Sequence, residues 1–247
     1  MLPLAAVVPA ALLYYLGLRR RVGGRRAGRD ALLFAAGLGA LVIALVSPLA
    51  SLDQELFWAH MSQHVLLLAV VPPLILLGRP WSTMSRVLPT GLRRTTARVV
   101  VRRLRMSPPI ALVLFCGVLV AWHIPALYNA TLASSAVHVL EHALFLATGL
   151  LFWSQLIDSP PFRSALDAPR RALYGAIGMA VGSAVGLVLA VASTPLYAAY
   201  GDLPSRPGGI SALADQHLAA GIMWVPGSIP FAAAFIVFVY RWLEEES

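Results

Sequence analysis

Residues 31–50 read ALLFAAGLGALVIALVSPLA, twenty positions without one charged side chain. The hydrocarbon core of a bilayer takes about 20 apolar residues in a helix, so this stretch reads as a membrane span. Working outward, runs of the same kind lie at about 2–18, 57–78, 109–127, 136–157, 174–194 and 217–240; with 30–50 they make seven. Composition agrees. Charged residues are 12% of the 247, where a soluble domain has about 25%. The expected fold is an all-α integral membrane protein, one domain over residues 1–247 with seven transmembrane helices.

The first run resembles a signal peptide only in length. Its charges, Arg19-Arg20-Arg21, follow the apolar stretch instead of preceding it, so a retained first helix is expected. All 19 basic residues are arginine. With no lysine, a retinal or pyridoxal Schiff base and a P-loop are excluded. One cysteine, Cys116, permits no internal disulfide.

The arginines also set an orientation. Six lie between the first two runs, from Arg19 to Arg29, and eight between the third and fourth, from Arg79 to Arg105. Arg163, Arg170 and Arg171 follow the fifth run, Arg241 ends the seventh, and the opposite loops hold only Arg206. By the positive-inside rule the N-terminus is outside and the C-terminus cytoplasmic. That distribution accounts for the basic charge without a nucleic-acid partner. Within 79–107, Arg94, Arg98, Arg102 and Arg105 recur at helical spacing, with Leu92, Val100 and Leu104 on another face. This segment is either a helix lying on the anionic inner leaflet or a basic loop serving topology alone. Gly178, Gly182 and Gly186, four apart, form a small-residue ridge for close helix packing.

With that orientation, all six histidines fall at the outer ends of four helices. His60 and His64 open the third run, His123 ends the fourth, His138 and His142 open the fifth, and His217 opens the seventh. Two are HxxxH pairs, and residues four apart share a helix face with β-carbons about 6 Å apart. Imidazoles projecting together from one face can hold a metal ion. One such pair is a weak signal and also fits histidines bonded at the headgroup boundary; two pairs at one depth carry more weight. Glu141 lies about 100° from His142 around its helix. It, Asp215, Asp53 and Glu55 are read as carboxylates that orient imidazoles or sit at helix ends. Met61, Met223 and Cys116 are candidate soft ligands; imidazole with thioether suits copper, and imidazole alone also suits zinc or haem iron.

Several motifs together resemble the CtaG family of cytochrome c oxidase assembly proteins. They are His60-Met61-x-x-His64 followed by Pro72-Pro73-Leu74, Trp122-His123-x-Pro125-x-x-Tyr128, His138-x-x-Glu141-His142, and Asp215-Gln216 followed by Met223-Trp224. Order and spacing match from about residue 45 to 240. The resemblance implies a seven-span bacterial plasma-membrane protein needed for active haem-copper oxidase, with copper delivery as the usual inferred role. Oxidase subunits and a copper chaperone are the implied partners, and no enzymatic step is implied.

Three other readings compete. His138-x-x-Glu141-His142 also fits the reversed zinc-protease pattern, with Asp215 or His217 as third ligand. Paired imidazoles on facing helices could ligate haem, and a cofactor-free oxidase scaffold needs no ligands at all.

Overall fold

The computed structural model describes residues 2–21, 24–104 and 106–246, with backbone only for 2–6 and 100–104. All regular structure among the described residues is helical: α1 (Leu2–Arg19), α2 (Arg25–Val46), α3 (Leu49–Leu52), α4 (Phe57–Val65), α5 (Val71–Leu77), α6 (Pro80–Met84), α7 (Thr90–Leu104), α8 (Pro108–Trp122), α9 (Pro125–Ala133), α10 (Ser135–Leu156), α11 (Ala168–Val191), α12 (Ala198–Gly201) and α13 (Ala212–Glu246), with a π-helical stretch at Leu66–Val70 and short 3-10 turns at Ser85–Val87 and Pro207–Gly209.

Five stretches are long and apolar enough to cross a membrane: Arg25–Leu52, Phe57–Val87, Ser135–Leu156, Ala168–Val191 and Ala212–Glu246. A sixth arises if α8 and α9, bent by 73°, are taken as one span. α1 has eighteen residues, and its part with described side chains, Val7–Arg19, is apolar but shorter than a span. The helices differ from the expected runs mainly at prolines and at ends. The fourth run, expected unbroken over 109–127, breaks at His123 and Ile124 before Pro125. The last helix extends past 217–240 on both sides. Leu32, Val113, Val191 and Ile236 point outward with relative exposures of 66–72%, an apolar rim suited to lipid and not to water.

Prolines inside spans leave carbonyls without intrahelical donors, and in a membrane these must be satisfied internally. Pro48 offers no N–H to Ala44, and the Gln63 amide donates to the Ala44 carbonyl instead (2.8 Å). Pro72 likewise frees the Leu68 carbonyl, which accepts from Trp153 Nε1 (2.9 Å). The π-helical stretch lies one residue before this Pro-Pro step, so the irregularity within Phe57–Val87 coincides with its prolines.

Helices α11 and α13 pair along much of their length. A Cβ on Gly178 would meet the Phe152 ring at 2.6 Å, and one on Gly186 would meet the Ala220 carbonyl at 3.4 Å. The expected glycine ridge thus packs at Gly178 and Gly186, while Gly182 has room. α7 is a helix with an exposed Leu92 and exposed Arg94 and Arg98. Arg105 lies outside the described residues, as do the side chains of Val100, Arg102, Arg103 and Leu104, so the proposed apolar face is not tested.

Candidate metal centre

Three helix ends and the α8–α9 break meet at the end of the bundle remote from Arg241. Helix α4 enters there with its first N–H groups unpaired, as at any helix start. Its own N-cap, Leu56, has no side chain for them. Asp215, buried on α13, accepts from Phe57 N (2.8 Å) and Trp58 N (3.0 Å). This carboxylate therefore fixes α4, and His60 and His64 with it, against α13. Gln216 beside it binds the chain leaving α11, accepting from Leu196 N (2.7 Å) and donating to the Leu189 carbonyl (3.2 Å).

Histidine and carboxylate side chains from α4 and α10 then converge. One ligand atom each from His60, His138, Glu141 and His142 lies within 4.8 Å of all the others. Glu141 is fully buried, with Oε2 3.3 Å from His60 Nε2 and Oε1 3.5 Å from His64 Nε2. His138 Nε2 and His142 Nε2 face each other at 3.1 Å. Asp53 Oδ2 stands 3.8 Å from His138 Nε2. His64 and His123 flank the group, their rings 6.1 Å apart. His123 Nδ1 donates to the Leu119 carbonyl at 2.7 Å, which leaves Nε2 as its free atom.

Several of these atoms are buried and poorly satisfied: His64 Nδ1 and His123 Nε2 have no hydrogen-bond partner, and His64 Nε2 and Glu141 Oε1 face only each other, at 3.5 Å, without forming a hydrogen bond. Buried polar atoms are nearly always satisfied, and an orphan calls for an explanation such as an ion. A cation between α4 and α10 would take up the lone pairs of Glu141 and His64 together, so the residues present fit a metal. His138 and His142 are half-buried and, with Asp53 and Gln63, line a cavity of about 410 Å³. His60, His64 and Glu141 are fully buried and do not line it.

Two phenols set the ring of His60. Its Nδ1 is 2.9 Å from the Tyr128 hydroxyl and 3.2 Å from the Tyr200 hydroxyl. Tyr200 donates its one proton to the Asp53 carbonyl. Its oxygen is then an acceptor for Nδ1–H, and in the tautomer that carries this proton Nε2 holds a lone pair that a cation shared with Glu141 would take up. Burial holds the Tyr200 phenol well above its ordinary pKa, so it remains a neutral donor. Tyr197, stacked on Tyr128 with centroids 4.1 Å apart, donates to the His123 carbonyl (3.0 Å), and its phenol is raised by burial as well.

Of the residues singled out from sequence, five histidines and Glu141 come together. His217 does not: it is exposed on the outer side of α13, with Nε2 3.1 Å from the Ala192 carbonyl. Asp215 works as a helix cap. Met61 is buried in the apolar core; Cys116 is packed against that core and is not in the group of ligand atoms. Met223 lines a small cavity of about 50 Å³ beside His64. Sequence reasoning gave no role to Tyr128, although it quoted the residue in a motif, and it missed Tyr200 and the Gln63 bond.

A bundle of membrane-length helices with a buried histidine–carboxylate cluster between two of them is thus the class of protein to which the chain is assigned. The chain belongs to the cytochrome c oxidase caa3 assembly factor family, whose sequence model matches residues 12–245. It is also similar to an uncharacterised protein of Mycobacterium bovis, Mb0105, and one of Mycobacterium tuberculosis, MT0111, each 29% identical over 98% of this chain. The chain spans 38% of the length of each of these relatives. No solved structure matches it.

Proposed function

We propose that the chain binds copper between α4 and α10 and serves cytochrome c oxidase assembly by handing that copper on. The observation that carries the reading is the convergence of His60, His138, Glu141 and His142 within 4.8 Å, next to a buried His64 Nδ1 and His123 Nε2 that lack hydrogen-bond partners. The donors are imidazole nitrogens and one carboxylate, a set suited to Cu(II) as well as zinc, and thioether is not needed to complete it. The family supplies the reason to favour copper, because an oxidase carries copper centres that must be filled. The cluster's half-buried outer pair lets an ion enter and leave, as cargo requires.

In this reading the chain has seven spans, supported by its seven apolar runs, and this end lies outside the bacterial plasma membrane, supported by 18 of the 19 arginines falling on the other side. Oxidase subunits receive the ion and a copper chaperone supplies it. A haem reading is less well supported: the imidazole rings of His60, His138 and His142 sit 4.2–5.8 Å apart, too close to admit a macrocycle between them. In the protease reading Glu141 would have to face a metal-bound water, whereas its carboxylate is held between two imidazoles. Elemental analysis with an optical spectrum of the purified protein tests the proposal. Copper without a Soret band is expected; a Soret band, or zinc alone after copper exposure, overturns it.

A further inference from the structure

The arginine end holds a second feature, remote from the histidines. A cleft of about 550 Å³ is walled by residues of α2, α5, α10, α11 and α13. Its charged lining is Arg29, Arg79, Arg171 and Arg241, against one carboxylate, Asp158. Arg171 is already engaged. It bonds both oxygens of Asp158 (3.1 and 3.0 Å) and the Leu156 and Leu166 carbonyls. The guanidinium groups of Arg29 and Arg79 have no hydrogen-bond or ion-pair partner among the described residues. Arg241 lies over the Phe238 ring at 5.9 Å.

Arg79 is also the one non-glycine among the described residues with positive φ, at 51°. A left-handed backbone is strained for an ordinary side chain, and such positions concentrate where a ligand is held. The remainder of the cleft is apolar. Leu77 and Val237 in its wall are 41% and 47% exposed, so it opens sideways, between helices, and not only at the end of the bundle.

We propose that this cleft binds an anionic phospholipid, its phosphate among Arg29, Arg79 and Arg241 and an acyl chain along the wall formed by Leu77, Ala234 and Val237. Charge complementarity selects the headgroup: the one carboxylate in the lining, Asp158, is taken up by Arg171, and the remaining guanidinium groups can hold phosphate by charge-assisted bonds. The sideways opening selects lipid over a free anion. Anionic lipids enrich the cytoplasmic leaflet, the side to which the arginine count assigns this end. The inference is independent of copper.

The test uses the purified full-length protein in a neutral detergent. Native mass spectrometry and the thermal midpoint are recorded with phosphatidylglycerol, phosphatidylcholine and glycerol phosphate. Phosphatidylglycerol should stay bound and raise the midpoint, and the other two should not. In Arg29→Gln/Arg79→Gln its binding should fall by about tenfold or more, while Arg86→Gln/Arg93→Gln retains it. If the first variant does not fold, Ala234→Trp, which fills the chain slot and keeps all four arginines, should show the same loss. Equal retention of phosphatidylcholine, or glycerol phosphate acting as well as the lipid, overturns the proposal. So does undiminished binding in a folded Arg29→Gln/Arg79→Gln or in Ala234→Trp.

Discussion

Asp215 on α13 accepts the first two backbone N–H groups of α4, from Phe57 at 2.8 Å and Trp58 at 3.0 Å. A cap drawn from another helix does two things. It satisfies orphan donors and offsets the positive helix end, and it fixes the height of His60 and His64 relative to their partners on α10. Asp215→Ala should cost about 1–2 kcal/mol of stability and also weaken metal binding, although the residue supplies no ligand atom. Asp215→Asn, which keeps one acceptor, should lose less of both. Thermal unfolding and a copper titration of the two variants check this; metal affinity unchanged in a destabilised Asp215→Ala would separate cap from site.

The ligand assignment has an internal control. His138→Ala with His142→Ala should abolish stoichiometric copper, and Glu141→Gln, equal in size but without the charge, should weaken it. His217→Ala should leave copper content as it was, because that imidazole bonds the Ala192 carbonyl away from the cluster. Elemental analysis after dialysis reads all three. Loss of copper in the His217 variant to the same extent as in the double variant would sink the assignment.

Tyr128 tests the tautomer argument. Partners of metal-bound histidines typically contribute about 10–100-fold in affinity, and Tyr128→Phe removes the hydroxyl 2.9 Å from His60 Nδ1 with little change in shape. Copper affinity should drop toward that range while the thermal midpoint of the metal-free protein moves little. A large fall in the metal-free midpoint with unchanged affinity would make the hydroxyl structural only.

How much of this could be read from the chain follows from what periodicity measures. The HxxxH pairs give depth and face within one helix, so His60 with His64 and His138 with His142 were legible as pairs. Rotation about a helix axis relative to its neighbours depends on packing. That is why His217, at the same depth, looked equivalent. In fact Asp215 and Gln216 turn inward on α13 and His217, a further 100° round, turns out. Packing of α10 likewise carries Glu141 into the centre, where its spacing from His142 alone left it an orienting, helix-end or protease-type carboxylate. Pro48 and Pro72 were visible as breakers, but the side chains that take up the freed carbonyls, Gln63 and Trp153, come from 15 and 81 residues further on, and no local pattern links them.

Topology is open to a direct check. In a Cys116→Ser background, Glu55→Cys and Ser205→Cys should react with an impermeant thiol reagent added to intact cells, and Thr95→Cys should not. All three positions are exposed, so failure to react reports the side of the membrane and not burial. Labelling of Thr95→Cys from outside would reverse the orientation and put the histidine cluster on the cytoplasmic face.

A deletion strain separates copper handling from scaffolding. If the chain supplies copper, cells lacking it should still make oxidase subunits and haem, yet hold oxidase deficient in copper and inactive. External copper should then restore part of the activity, since mass action loads a recipient site directly when the site itself is intact. Complementation with Glu141→Gln should sit between deletion and wild type and shift the copper requirement upward, because a weaker site needs more free ion for the same occupancy. A scaffold gives the opposite pattern: loss of the subunits themselves, no rescue by copper, and full complementation by Glu141→Gln. Subunit level, oxidase copper and oxidase activity across a copper series read all of these at once. Oxidase with a normal copper complement in the deletion strain would end the copper-delivery reading.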